Sequence, residues 1–275
     1  MTTSTKANPV VSDPARMSRD VPGGKRSSNT REDPKRPLKL SILMPVYNEE
    51  RTLRQAIEAV LAQTYPVEIE LCVVDDGSTD ASAKILQQIH DPRMRVRHHF
   101  RNAGKGDAMI TARTMATGTH VVAFDADLEY SAEDLPRMLA HILAGRCEVV
   151  FGTRLFVTHT RHQSYKHIIG DRALTLATNL LFNGHLRDVH TCLKMMPLSL
   201  FRSLDLREPR FGVDAEIAAR ILQRGIRPFE IPVSYDSRTA VDGRKLTWRD
   251  GLICLGVLMR VRSTRPAEVA ILQAT

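Results

Sequence analysis

The sequence is poor in aromatic residues, 5% of the chain, and carries nothing that reads as a nucleic-acid motif, which excludes a base-stacking platform. No apolar run reaches about 18 residues and no apolar leader opens the chain, so neither a membrane span nor secretion is expected. The expected protein is soluble or peripheral, cytoplasmic or held at the cytoplasmic face of a membrane. Cys72, Cys147, Cys192 and Cys254 lack metal-ligand spacing, and three lie inside apolar runs. They read as free thiols in a reducing compartment rather than as disulfides. Plentiful instead is positive charge, 39 Lys and Arg against 31 Asp and Glu, net +8. That balance suits nucleic acid, anionic lipid or a phosphorylated substrate, and charge alone does not choose among them. A chain of 275 residues suffices for one large α/β domain with an ample core.

Residues 1–37 are rich in Ser, Thr, Pro, Lys and Arg without apolar periodicity, and predict a disordered basic tail. From residue 38 the pattern alternates strand and helix, as in a doubly wound, mostly parallel sheet flanked by helices. A strand over 38–46 ends in Pro45-Val46-Tyr47-Asn48-Glu49-Glu50, and a helix over about 49–63 places both glutamates in its first turn, where the macrodipole favours them. The next strand, 69–74, runs into Asp75-Asp76-Gly77-Ser78-Thr79-Asp80, with Ser78 or Asp80 available as the next N-cap. Asn102-Ala103-Gly104-Lys105-Gly106 precedes a helix over 107–117; a cation and small residues at a helix N-terminus suit a diphosphate. It is not a P-loop, since the glycine-lysine-hydroxyl element is missing.

Val121-Val122-Ala123-Phe124-Asp125-Ala126-Asp127 is the stretch around which the chain is organised. Alternate residues of an extended segment share a face, so the two carboxylates lie roughly 6.6 Å apart at Cα. Either they form a polar turn closing a strand, or they serve one hard divalent ion whose other ligands come from substrate phosphates. Three strands ending in acidic loops, at Glu49, at Asp76 and at Asp125 with Asp127, favour the second.

Taken in this order, the four motifs, with Asp125-Ala126-Asp127-Leu128-Glu129 as the last, resemble the inverting family 2 glycosyltransferases of GT-A fold. The nearer likeness is to the dolichyl-phosphate and polyprenyl-phosphate hexosyltransferase branch. The resemblance covers about residues 38–262. It implies that Pro45, Tyr47, Glu49, Val74 and Asp76 cradle the nucleoside, while Asp125, Ala126 and Asp127 hold the diphosphate through Mg²⁺ or Mn²⁺, with Glu129 as a further ligand through water. Lys105 and Arg154 would stand near phosphates. Asp188-Val189-His190-Thr191-Cys192-Leu193-Lys194 resembles the acceptor-side motif, departing from it at His190. Arg238 and Lys245 fall in a loop that would bind the donor diphosphate or the lipid phosphate.

Other expectations complete the reading. Residues 155–166 form a cationic, lid-like loop; a helix over 166–183 is mostly core; Asp214 and Glu216 orient acceptor arginines or simply open a helix; and 226–235 is an edge strand because of Pro228 and Pro232. A basic amphipathic helix over about 247–262, in a C-terminal segment 247–275, lies in a membrane interface or packs on the 38–246 domain. The implied activity is metal-dependent, inverting transfer of a hexose from a nucleoside diphosphate sugar, GDP-mannose or UDP-glucose, to a polyprenyl phosphate, with Asp127, Asp188, Arg238 and Lys245 at the reaction. The alternatives are transfer to a saccharide or small-molecule hydroxyl, with Asp188 as a base of raised pKa, and a non-catalytic nucleotide-sugar-binding scaffold.

Overall fold

Leu40 to Met44 and Ile69 to Val74 carry almost uninterrupted apolar side chains, and both runs are buried on both faces, as central strands of a helix-covered sheet must be. The computed structural model describes residues 37–154, 165–237 and 248–264, apart from the side chains of 165–167 and 248–249. The N-terminal tail, the 155–164 loop, Arg238 and Lys245 lie outside the described residues.

The strands are β1 (Lys39–Val46), β2 (Glu68–Asp75), β3 (Met94–His98), β4 (His120–Ala123), β5 (Val150–Thr153), β6 (Lys194–Pro197) and β7 (Phe229–Pro232). Between and after them come α1 (Leu53–Ala62), α2 (Ser82–Gln88), α3 (Lys105–Met115), α4 (Asp134–Leu143), α5 (Tyr165–Phe182), α6 (Leu198–Ser203), α7 (Val213–Gln223) and α8 (Trp248–Ser263). They form one seven-stranded sheet in the order β3-β2-β1-β4-β6-β5-β7. β1 lies parallel to both β2 and β4, β2 parallel to β3, and β5 parallel to β7. β6 alone runs antiparallel, between β4 and β5. The strand order reverses at β1, and a crevice at the carboxyl ends of such strands is where open α/β sheets take ligands. β7 is the edge expected from its prolines.

Three expectations need correction. Glu49 and Glu50 do not open a helix: α1 begins at Leu53, after a turn in which the Glu49 carbonyl accepts from the Thr52 and Leu53 amides. The expected cap is present in Asp80, whose Oδ1 accepts the amide of Ser82, the first residue of α2 (2.9 Å). Asp80 and Ser78 also tie two loops together, accepting from the Glu50 amide (3.0 Å) and the Asn48 amide (3.0 Å). A strand at Lys194–Pro197 was not expected, four residues being too short to announce themselves. Finally, α5 is not mostly core, because Ile169, Leu176 and Leu180 are exposed.

Candidate active site

Register sets the site. Val46 pairs with Asp75 and Leu43 with Ala123, and the Phe124 amide still donates to the Leu43 carbonyl (2.9 Å). The three acidic loops after β1, β2 and β4 therefore leave the sheet along one edge. The Asp76 amide donates to the Val46 carbonyl (2.8 Å), and Asn48, at φ +53°, accepts the Thr79 amide on its side-chain oxygen (2.8 Å). Asn is among the few residues that take this left-handed conformation readily. Glu49 is anchored through its own amide to the Ser82 hydroxyl (2.9 Å), which leaves Tyr47 and Glu49 half-buried at the rim.

Asp76 is buried; its Oδ1 accepts the Ala103 amide (2.9 Å) and lies 2.7 Å from His99 Nδ1, while its Oδ2 accepts the Gly104 amide (2.7 Å). It thus fixes the glycine-lysine loop to β2. That loop is held from the other side as well: the Gly106 and Asp107 amides donate to the Pro209 carbonyl (2.8 and 3.2 Å). Two of the first amides of α3 are thereby already occupied. A Cβ at Gly104 would sit 2.2 Å from the Pro209 oxygen, and one at Gly106 would sit 1.9 Å from the Glu208 oxygen. Only glycine permits the approach.

Lys105 is what this loop contributes. Its Nζ lies 2.8 Å from Asp125 Oδ2 and 3.0 Å from Asp214 Oδ2. Burial opposes its charge, but the two carboxylates outweigh burial and raise its pKa well above the ordinary lysine value. Asp214 continues the chain, with Oδ1 3.6 Å from Lys194 Nζ and without a hydrogen-bond partner among the described residues. Burial pushes the Lys194 ammonium below the ordinary lysine range, and it donates to the Thr191 carbonyl. Asp125 and Asp127 flank buried Ala126, both half-exposed; Asp127 accepts the Glu129 amide (3.1 Å), and Glu129 accepts the Tyr235 hydroxyl (2.7 Å).

Beside this cluster, Arg154 Nε and Nη2 donate to the two oxygens of Asp188 at 2.6 and 2.8 Å, and the Arg154 amide adds a third bond at 3.1 Å. Arg154 Nη2 also reaches Asp171 of α5 (3.3 Å), and the guanidinium lies 5.0 Å from the centre of the Tyr235 ring. Arg154 and Asp188 therefore form a buried ion pair. Burial alone would raise the Asp188 carboxyl, but the Arg154 charge and hydrogen bonds hold it below the usual carboxylate range. That is the opposite of the raised pKa the hydroxyl-acceptor alternative calls for. His190 Nε2 is buried beside this pair without a hydrogen-bond partner among the described residues, and burial lowers its pKa.

The residues the sequence reading did not single out are Asp171 and Tyr235. Asp214, read as orienting acceptor arginines or opening a helix, binds a lysine 109 positions away. Glu216 accepts the Arg207 and Glu208 amides (2.9 and 2.7 Å) and so shapes the segment that presses on Gly104 and Gly106. A groove of about 530 Å³ lined by Lys39, Glu68, Arg93 and Arg95 opens at the amino ends of β1 and β2, away from all these groups.

For a divalent cation, the donor chemistry fits: Asp125 and Asp127 supply hard oxygen ligands at a half-open edge. No group of three acidic, His or Cys side chains able to hold a metal occurs among the described residues, so a cation at this pair would draw its remaining ligands from a bound molecule or water.

Residues 41–205 match the pattern of glycosyl transferase family 2. The chain belongs to this family. Among relatives, this family 2 chain is 26% identical over 215 residues to glycosyltransferase AglD of Haloferax volcanii, covering 74% of the chain and 34% of the relative. It is 38% identical over 107 residues to the undecaprenyl-phosphate 4-deoxy-4-formamido-L-arabinose transferase of Proteus mirabilis, covering 37% of the chain and 33% of the relative. It thus spans about a third of the length of the curated relatives it matches. Its fold is similar to that of glucosyl-3-phosphoglycerate synthase from Mycobacterium tuberculosis in complex with Mg²⁺ and UDP, with a TM-score of 0.64 at 20% identity over 84% of this chain and 81% of that one. The mixed sheet with its flanking helices is the GT-A fold.

Proposed function

We propose that this chain transfers a hexose from a nucleoside diphosphate sugar, GDP-mannose or UDP-glucose, to a polyprenyl phosphate, with inversion at the anomeric carbon. The observation that carries the reading is the pairing of Asp188. A carboxylate held bidentately by buried Arg154 and kept below its usual pKa is a poor general base. A phosphate acceptor needs none, since its oxygen is already anionic. The Proteus mirabilis relative, whose name gives it an undecaprenyl-phosphate acceptor, supports the same choice.

Tyr47, Glu49 and Asp76 lie at the edge where the nucleoside would rest, with Pro45 and Val74 beneath. Asp125 and Asp127 would hold Mg²⁺ or Mn²⁺, which when bound would supply positive charge for the departing diphosphate. Lys105 keeps Asp125 in place and balances its charge. Arg154 and Lys194, buried against Asp188 and Asp214, would stand on the acceptor side, where Arg238 and Lys245 would add positive charge. The acceptor oxygen bonds to the anomeric carbon as the bond to the diphosphate breaks, and the electron pair leaves with the diphosphate. The acceptor lipid would be met at the cytoplasmic face of a membrane. No described helix is long and apolar enough to cross one.

The test is product formation from radiolabelled nucleotide sugars with Mn²⁺, with and without a short polyprenyl phosphate, followed by organic extraction. Label entering the organic phase for one donor, and only with the acceptor present, is the expected result. Donor binding without extractable label would refute the acceptor.

A further inference from the structure

Ten large apolar side chains are exposed among the described residues, and seven of them stand on α5 and α8, two helices that pack on one another. On α5 these are Ile169, Leu176 and Leu180, the last 75% exposed. On α8 they are Leu252 at 62%, Ile253, Leu255 and Met259. The spacings 169, 176, 180 and 252, 255, 259 each follow one side of a helix. The other side of each is already spent on the core, through Thr175, Thr178 and Phe182 on α5 and Cys254, Val257, Leu258 and Val261 on α8. Each helix therefore has apolar groups on two sides, and one side has no partner. A concentration of this kind on a water-soluble surface marks a site of contact.

The charges around it point to the partner. The exposed charged side chains described on the two helices are Arg172, Arg260 and Arg262, with no carboxylate among them. Arg260 reaches Glu208 and Glu216 at 3.6 Å each, whereas Arg172 and Arg262 make no ion pair among the described residues. The same helices border the buried cations: Asp171 of α5 holds Arg154, and Arg260 of α8 holds the Glu208 and Glu216 pair beside Gly104 and Gly106.

We infer that the outer side of α5 and α8 is a docking surface for an anionic bilayer, with the leucines in the boundary between headgroups and acyl chains and the arginines on lipid phosphates. A second copy of the chain is disfavoured as occupant because it would bring a like set of arginines against the first. The inference rests on the proposed function for its purpose, delivery of a lipid-borne acceptor to Arg154 and Lys194; its geometry is independent of that reading.

The experiment is cosedimentation of the full chain with phosphatidylcholine vesicles, with and without phosphatidylglycerol, in the absence of donor and acceptor. Binding to the phosphatidylglycerol vesicles that weakens as salt is raised is expected. The L176E/L252E variant should bind at least about tenfold more weakly, with thermal unfolding and nucleotide binding unchanged. Absence of binding to anionic vesicles, binding indifferent to salt, or binding unaffected in L176E/L252E would each overturn the proposal, as would a wild-type dimer that this variant dissolves. Vesicle binding by a chain that transfers no label to polyprenyl phosphate would leave this surface standing and remove the acceptor instead.

Discussion

Replacing Asp188 by Asn separates the two enzymatic readings through stability rather than activity alone. The Asp188 carboxylate is 2% exposed and accepts three hydrogen bonds from Arg154, at 2.6, 2.8 and 3.1 Å, and one from the His190 amide at 3.1 Å. In the variant, Arg154 keeps its charge in a buried position with Asp171 as its remaining carboxylate neighbour, at 3.3 Å. Breaking a buried pair from one side costs about 3–5 kcal/mol. For a domain of this size that lowers the melting temperature by roughly 10 °C. The sign of the pH dependence follows from the depressed pKa: the stabilisation is complete above the ordinary carboxylate value and is lost as pH falls through the lower folded-state value. The assay is calorimetric unfolding of wild type, D188N, R154M and the double variant between neutral and acidic pH. The double variant should be more stable than the sum of the singles predicts by at least about 1 kcal/mol. If D188N melts with the wild type while losing transfer, and the acidic limb of its pH–rate profile vanishes, the carboxylate is a base and the ion-pair argument fails.

Three further outcomes are expected. Asp127→Ala should abolish transfer and leave unfolding unaltered, with excess EDTA reproducing the loss in the wild type; turnover surviving both treatments would end the metal assignment. Glu70, buried at the amino end of β2, is pushed up by burial, but hydrogen bonds from Ser41 and Thr117 prevail and bring its pKa to about 2, so Glu70→Gln should cost roughly 3 kcal/mol at neutral pH and flatten the loss of stability that the wild type shows as pH falls from about 4.5 toward 2; equal acid-unfolding curves would argue against it. Gly106→Ala places a methyl group 1.9 Å from the Glu208 carbonyl, which must move, so a loss of about 1–3 kcal/mol is expected by denaturant titration, together with weakened donor binding.

The parallel half of the sheet was readable from residues alone. β1, β2 and β4 announce themselves as apolar runs ending in acids, and their common edge follows from the alternation with helices. Pairings set over long separations were not readable. Lys105 finds Asp214, 109 positions on, only because β6 and α7 return the chain to the front of the sheet. Local patterning likewise assigned Glu49 and Glu50 to a helix, because an acid before an apolar run looks the same whether it caps that helix or laces two loops. Leu176 and Leu180 were read as core for a related reason: a 3.6-residue period identifies an apolar side and says nothing about what covers it.

The glycine-lysine loop is gripped by Asp76 on one side and by Pro209 on the other. Position 209 lies beyond the 41–205 stretch that matches the family, as do Asp214 and Glu216. A truncation drawn at that boundary would keep every acid of the donor edge and still strip Lys105 of one of its two carboxylates and the α3 amides of their acceptor. The smallest unit able to hold the donor edge in shape is therefore longer than the stretch that names its family, and it extends at least through α7.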